Sequence, residues 1–273
     1  MTSFSTKFQL AEGKVKKFNP SRYQHSVKIG EGSYGMVYKA FDSQQKKQVA
    51  LKKVKLDDKD SKEGLPHYIL REISIMSGTS SHKNIIKLQD IFWDEKGFIL
   101  QMEYADKGDL LRLFTQADGK LSFTQIRNLF REILQGVQMT SSIQSLWYRA
   151  PEALLGNSFY SSAVDCWSLG IILHELIHKT PMYPGTCEID TIIRIFRHQG
   201  TPQFDKILNI ENYTYITKDF EIKFPKFESS KTFPNQRRDK VPENLLKIVS
   251  GMTTIDPMKR MSCQEALEIL GEK

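Results

Sequence analysis

Between residues 25 and 56, apolar and polar positions alternate with a period of two, and polar stretches such as Asp42-Ser43-Gln44-Gln45 interrupt the runs. β-Branched and aromatic side chains fill the apolar positions, which predicts strands joined by turns. The period changes over 66–76, where Ile69, Leu70, Ile73 and Met76 recur at the spacing of a helix face. Short strands return over 85–104, including Phe98-Ile99-Leu100-Gln101-Met102. After Gly108 the pattern is mostly helical. Phe123, Ile126, Leu129, Phe130, Ile133, Leu134 and Val137 make a wide apolar face on a helix over 122–138. Further helices are expected at 163–178 and 242–252. Pro202, Pro225 and Pro234 make 200–240 mostly loop. Strands first and helices after predict an α+β chain of two lobes. The expected layout is a basic tail over 1–24, a β-rich lobe over 25–105 and a helical lobe over 106–273.

At the tip of the first predicted hairpin, Gly30-Glu31-Gly32-Ser33-Tyr34-Gly35-Met36-Val37 matches GxGxxGxV. In a dinucleotide fold such glycines open a helix. Here the following residues, Met36 to Phe41, alternate as a strand, so the loop joins two strands. Glycines in that position let backbone N–H groups approach phosphate oxygens with no Cβ in the way. Farther along, Val49-Ala50-Leu51-Lys52 places a lysine on the same strand face as Ala50, with Lys53 pointing the other way. A cation on that face calls for an anion, supplied by phosphate oxygens and a carboxylate. Glu72 is the candidate carboxylate. It follows Pro66, which suits a first helical turn, and flanks the inward face marked by Ile69 and Met76.

Composition adds bounds. The chain has 273 residues, 40% of them hydrophobic and 26% charged, within the range of ordinary globular proteins. No run of 18 apolar residues suggests a membrane span, and the first residues have no apolar leader core. Cys166, Cys187 and Cys263 form no CxxC. They read as reduced thiols of an intracellular protein, nuclear or cytoplasmic. The net charge of +7 is partly carried by Lys7, Lys14, Lys16, Lys17 and Arg22. That basic arm reads as solvated surface or as weak contact with an acidic partner or nucleic acid. No nucleic-acid-binding module is recognised, and neither nucleic acid nor membrane is expected as a partner.

The glycine loop, Lys52 and Glu72 fit any protein kinase. The chain more specifically resembles the cyclin-dependent kinases. Pro66-His67-Tyr68-Ile69-Leu70-Arg71-Glu72 stands where that family has PSTAIRE. Leu146-Trp147-Tyr148-Arg149-Ala150-Pro151-Glu152 is similar to its WYRAPE segment, and Asp165-Cys166-Trp167-Ser168-Leu169-Gly170 to DxWSxG. Pro184-Gly185-Thr186, Arg194-Ile195-Phe196, Gly200-Thr201-Pro202 and Asp256-Pro257-Met258-Lys259-Arg260 are also typical. The resemblance spans roughly residues 23–270.

It implies a bilobal Ser/Thr protein kinase that binds ATP with magnesium. Ile29, Gly30, Glu31, Gly32, Ser33, Tyr34, Gly35 and Val37 would cover the nucleotide. Ala50 would pack on adenine, and Lys52, paired with Glu72, would reach the phosphates. Met102 takes the gatekeeper position, and Glu103 to Ala105 the adenine-binding hinge. Glu152 and Arg260 are expected to form a buried ion pair, while Asp165 would cap the catalytic loop. Residues 66–76 imply a cyclin-like partner, and an active enzyme a protein substrate.

The junction of the two halves departs from this pattern. Gln135 to Leu146 contains no Asp, Glu, Asn or His. The HRDxxxxN and DFG motifs have no counterpart, and with them go the base and both magnesium ligands. The reading is therefore no metal site and impaired catalysis, with Thr140 placed where an activation-loop phosphosite would stand. Two explanations fit: an internal segment lost from an ordinary kinase, or a pseudokinase that holds nucleotide or a cyclin-like protein. Loss of the centre is also expected to uncover the apolar face of helix 122–138. His174-Glu175-Leu176-Ile177-His178 matches HExxH, but the flanking residues do not extend it to a zinc-peptidase site. Asp219-Phe220-Glu221 is read as loop rather than a displaced DFG.

Overall fold

The computed structural model describes residues 16–32, 35–54, 73–74, 76–79, 81–94, 97–110, 112–113, 121–137, 145–157, 161–204, 224–230, 233–234 and 240–271. The chain divides into two units, 1–113 and 114–273.

The first unit is a six-stranded sheet: β1 (Lys16–Lys17), β2 (Tyr23–Gly32), β3 (Gly35–Asp42), β4 (Lys47–Val54), β5 (Leu88–Asp94) and β6 (Gly97–Glu103). The spatial order is β1-β5-β6-β4-β3-β2. Neighbours are antiparallel except β1, which lies parallel to β5 through Lys16–Phe92 and Lys17–Trp93. Alternation gives the sheet two apolar faces. Tyr23, Ala40, Val49, Leu51, Phe92 and Ile99 form one cluster, with Phe18 and Tyr38 packed against it. Val54, Ile73, Phe98 and Leu100 form the other, joined by Leu88, Ile91 and Trp93.

Residues 16–24, read from composition as part of a basic arm, pack with this sheet, Lys16–Lys17 as β1 and Tyr23 and Gln24 as the start of β2. Phe18 stacks on Tyr23 at 5.2 Å. Arg22 donates to both oxygens of Asp42, at 2.8 and 2.6 Å. The Asp42 carboxylate also accepts from the amides of Gln44 and Gln45, which closes the β3–β4 turn. A buried aspartate needs such partners, and Asp42 has them from two directions.

The second unit is helical: α1 (Phe123–Val137), the single turn α2 (Pro151–Leu154), α3 (Ala163–His178), α4 (Glu188–Gln199), α5 (Glu243–Met252) and α6 (Cys263–Ile269). α1 starts at a reciprocal cap. Ser122 Oγ accepts from the Gln125 amide, and Gln125 Oε1 accepts from the Ser122 amide. Ser262 and Glu265 repeat the device at α6. α3 is apolar on nearly every side and is buried from Val164 to Ile171. It approaches α5 closely at Gly170, where a Cβ would lie 2.7 Å from Thr253 Cγ2.

The expected bare face on α1 is not found. Ile126, Phe130 and Leu134 are buried, and Phe123, Leu129, Ile133 and Val137 are partly buried. α3 and α6 pack against this helix, and Arg131 Nη2 donates to the Leu270 carbonyl at 3.2 Å. The unit thus closes around its own helices. Among the described residues, no helix is long and apolar enough to cross a membrane.

Candidate functional site

The glycine loop sits where β2 turns into β3, with Gly32 opposite Gly35. Its glycines differ in what holds them. Gly35 has φ +155°, and a Cβ there would lie 2.1 Å from the Lys53 carbonyl oxygen, so the packing of β3 on β4 demands glycine. At Gly30 a Cβ would touch only Val37 Cβ, at 4.0 Å, and at Gly32 nothing within 4 Å. The fold itself gives no reason for these two. Ser33 and Tyr34 lie outside the described residues. Glu31 pairs with Lys28, and Ile29 is half exposed.

Register gathers the remaining candidates. Gly30 faces Val37, Val37 faces Lys52, and Lys52 faces Leu100. Ala50 faces Met102. Alternation puts Val37, Ala50, Lys52 and Met102 on the face that also carries Val54 and Leu100. Lys53 points the other way, with its ammonium 5.2 Å from the Tyr38 ring centroid. Ala50 is buried and Lys52 partly buried. Ile73 packs against Val54 and Leu100, which brings its short stretch of helix to the same face. Glu72, one residue earlier, lies outside the described residues, as does the rest of 66–72.

The strand exit is fixed by a reciprocal pair. The Glu103 amide donates to the Lys87 carbonyl, and the Lys87 amide donates to Glu103 Oε1, both at 3.0 Å. Ala105 is exposed, and its carbonyl accepts from Gly108 at 3.4 Å.

In the helical unit, a second group of motif residues is tied down by hydrogen bonds. Trp147 Nε1 donates to the Gly185 carbonyl at 2.8 Å. Tyr148 donates its hydroxyl to Glu175 Oε2 at 2.8 Å, and burial pushes that phenol up to about 12. Ser168 Oγ donates to the Tyr148 carbonyl at 2.7 Å, and Arg149 pairs with Glu188. Glu152 and Arg260 form a buried, two-point ion pair at 2.6 and 2.8 Å. The other Arg260 donors reach the carbonyls of Thr254, Ala163 and Ile255, so all five N–H groups are used.

A family model for the protein kinase domain matches the chain in two segments, residues 23–140 and 138–269. The chain belongs to the protein kinase family. The α+β architecture, a β-sheet unit followed by a helical unit, is the one this family predicts.

The kinase's other sequence candidates occupy structural positions. His174 and His178 are buried on α3 with ring centroids 4.6 Å apart. Burial and the neighbouring His178 hold His174 down to about 4. Glu175 is engaged by Tyr148, and His174 Nε2 lies 3.1 Å from the Pro234 carbonyl. Asp165 is buried in the first turn of α3. Thr140 and Asp219 to Glu221 lie outside the described residues.

Sequence reasoning missed two groups that shape the sheet unit. Lys39 places its ammonium 4.7 Å from the Tyr104 ring centroid, on the candidate face. Gln101 sits at the centre of a buried network. It accepts from the Tyr23 hydroxyl and donates to Asp42 Oδ2 and Gln89 Oε1. The polar residue in the apolar run Phe98 to Met102 was the available signal.

The space beside Gly30 and Gly32, next to a face bearing Val37, Ala50 and Lys52, suits a nucleotide triphosphate. Magnesium does not fit in the same way. Gln135 to Leu146 supplies no carboxylate or amide from Asp, Glu or Asn. Among the described residues, no group of three or more His, Cys, Asp or Glu could hold a metal ion.

Proposed function

We propose that this kinase descends from a cyclin-dependent-kinase-like Ser/Thr protein kinase and that the present chain holds ATP without turning it over. The observation that carries the reading is the unfilled space at Gly30 and Gly32. A fold that needed these glycines for packing would press atoms against them, as it does at Gly35. When bound, ATP supplies the γ-phosphoryl group that the parent enzyme would transfer to a protein Ser or Thr hydroxyl. In this chain Gly30 to Val37 would cover the phosphates, Lys52 would reach them, Ala50 and Met102 would flank adenine, and the Glu103–Ala105 backbone would receive its edge. Glu72 is proposed as the carboxylate that would orient Lys52. No transfer step follows, because the groups that hold the metal and take up the hydroxyl proton have no counterpart here.

The two family matches meet over 138–140, where the sequence passes from Val137 to Leu146 with no acidic residue. That supports a lost internal segment over gradual decay, since the motifs on either side are intact. The cyclin-like partner is proposed at 66–76, and a protein substrate belongs to the complete parent.

A thermal-shift titration tests the binding half. ATP is expected to raise the melting temperature equally with and without magnesium, and Lys52→Met to remove the shift. At ligand concentrations near 100 times Kd, the stabilisation is about 2.7 kcal/mol. A strictly magnesium-dependent shift, or protein labelling from radioactive ATP that Lys52→Met abolishes, would refute the reading. Sequencing the transcript across codons 136–146 tests the lineage, since the parent form would carry an in-frame HRD and DFG segment.

A further inference from the structure

The second unit contains a buried pair of thiols that the kinase reading does not use. Cys166, in the first turn of α3, and Cys263, the first residue of α6, place their sulfurs 3.7 Å apart. They are 97 positions apart in sequence, so only the fold brings them together. Each retains a sliver of surface, with 6% and 7% exposure. Cys187, the third cysteine, is exposed and lies elsewhere, just before α4.

We infer that Cys166 and Cys263 form a reversible disulfide site, oxidised by a small peroxide and reduced by a thiol. The sulfurs already touch, and closing to the ~2.05 Å of a disulfide needs side-chain rotation rather than refolding. The chemistry balances in two steps. The Cys166 thiolate attacks one peroxide oxygen. The O–O bond breaks, hydroxide leaves, and sulfur is oxidised to the sulfenic acid Cys166–SOH. The Cys263 sulfur then attacks Cys166, the S–O bond breaks, and water departs with the Cys263 proton, leaving the S–S bond. One peroxide is reduced for each disulfide formed.

Cys166 is suited to act first. Its sulfur shares a hydrogen bond with the Cys263 sulfur, the Cys263 backbone N–H adds a second, and the Arg260 charge lies nearby. Together these lower its pKa against the opposing effects of burial and Asp165. The same contact, together with burial, raises the pKa of the Cys263 thiol. The new bond would span the junction already clamped by Arg260, whose Nη1 donates to the Ala163 carbonyl at 2.8 Å. Oxidation therefore staples α3 to α6 without displacing the ion pair.

The test uses the full chain, reduced, freed of reductant and exposed to stoichiometric hydrogen peroxide, then alkylated in denaturant and mapped without reduction. The expected product is a linked peptide pair containing Cys166 and Cys263. It should persist in Cys187→Ser, disappear on dithiothreitol treatment and raise the melting temperature by about 5 °C or more. In Cys263→Ala, Cys166 should stop at the sulfenic acid and take up dimedone. Oxidation confined to Cys187, with both other sulfurs recovered alkylated, would overturn the site. So would equal yields of the 166–263 link in buffer and in concentrated urea, because pairing would then owe nothing to the fold.

Discussion

The two units keep their family motifs for different reasons. In the helical unit the motif side chains Trp147, Tyr148, Glu152 and Arg260 are occupied by the scaffold. Trp147 holds Gly185, Tyr148 holds Glu175, and Arg260 spends all five donors on Glu152 and three carbonyls. In the sheet unit, Gly30 and Gly32 meet almost nothing that would forbid a larger residue. A motif explained by packing says that the fold is intact. A motif that packing leaves unexplained points to something the fold was shaped to receive. Here the first kind lies in the helical unit, and the second in the sheet unit.

The comparison is broken most severely at Glu152. Glu152→Ala would leave the Arg260 guanidinium buried without its carboxylate. The expected cost is about 3–5 kcal/mol, the range for removing one partner of a buried pair. Urea unfolding followed by far-ultraviolet circular dichroism measures it, and a loss below about 1 kcal/mol would mean that the pair does not anchor the unit. Gly35→Ala should come next, at about 2–4 kcal/mol, because the added Cβ meets backbone rather than a movable side chain. The same unfolding measurement applies, and a neutral result would place Gly35 with the ligand-facing glycines.

Much of this was legible in the sequence. Alternation over 25–56 and 85–104 anticipates β2 to β6, and the apolar face over 123–137 anticipates α1 almost to the residue. The apolar runs of α3 and α5 are similarly plain. β1 was not legible. Lys16–Lys17 has no apolar alternation, and its place depends on β5, about 75 residues away, and on Phe18 stacking over Tyr23. Composition alone therefore assigned it to a solvated arm. α4 carries its apolar face on Ile192, Ile195 and Phe196, a pattern that was present but read only as a family motif. α6 is just 7 residues long, too short for periodicity to speak. At the candidate site, the shared strand face of Ala50 and Lys52 was readable, whereas strand register and the contrast among three glycines were not. The contrast depends on where the Lys53 carbonyl lies in space.

The sheet unit has its own ion pair, between Arg22 and Asp42, and acid tests it. The hydrogen bond from Arg22, aided by the amides of Gln45 and Gln44, holds the Asp42 carboxyl down to about 2, from an ordinary value of 3.8. A depressed carboxylate stabilises the fold above its unfolded pKa and loses that contribution as pH falls toward the folded value. The window is therefore about pH 4 to 2, and the contribution about 2 kcal/mol. Wild type minus Asp42→Asn, measured by urea midpoints across that window, should shrink as the solution is acidified. Taking the difference cancels carboxylates elsewhere, such as Asp190 and Glu265. A difference that stays constant with pH would show that Asp42 acts through packing rather than charge.

The smallest expected effect on stability is also the sharpest test of the comparison. Gly30→Ala and Gly32→Ala should change folding stability by less than about 1 kcal/mol, since the new methyl meets at most Val37 Cβ at 4.0 Å and the unfolded chain loses freedom. ATP binding should respond in the opposite way. A Cβ at either position intrudes where backbone N–H groups would meet phosphate oxygens, and the ATP-induced melting shift should fall or vanish while the melting temperature without ligand holds. Gly35→Ala then serves as the counterpart: stability falls because the β3–β4 contact is disturbed, whatever the ligand does. If Gly32→Ala keeps full ATP affinity, the open space is incidental to nucleotide. The functional reading of the sheet unit would then lose its support, while the family assignment and the scaffold of the helical unit would stand.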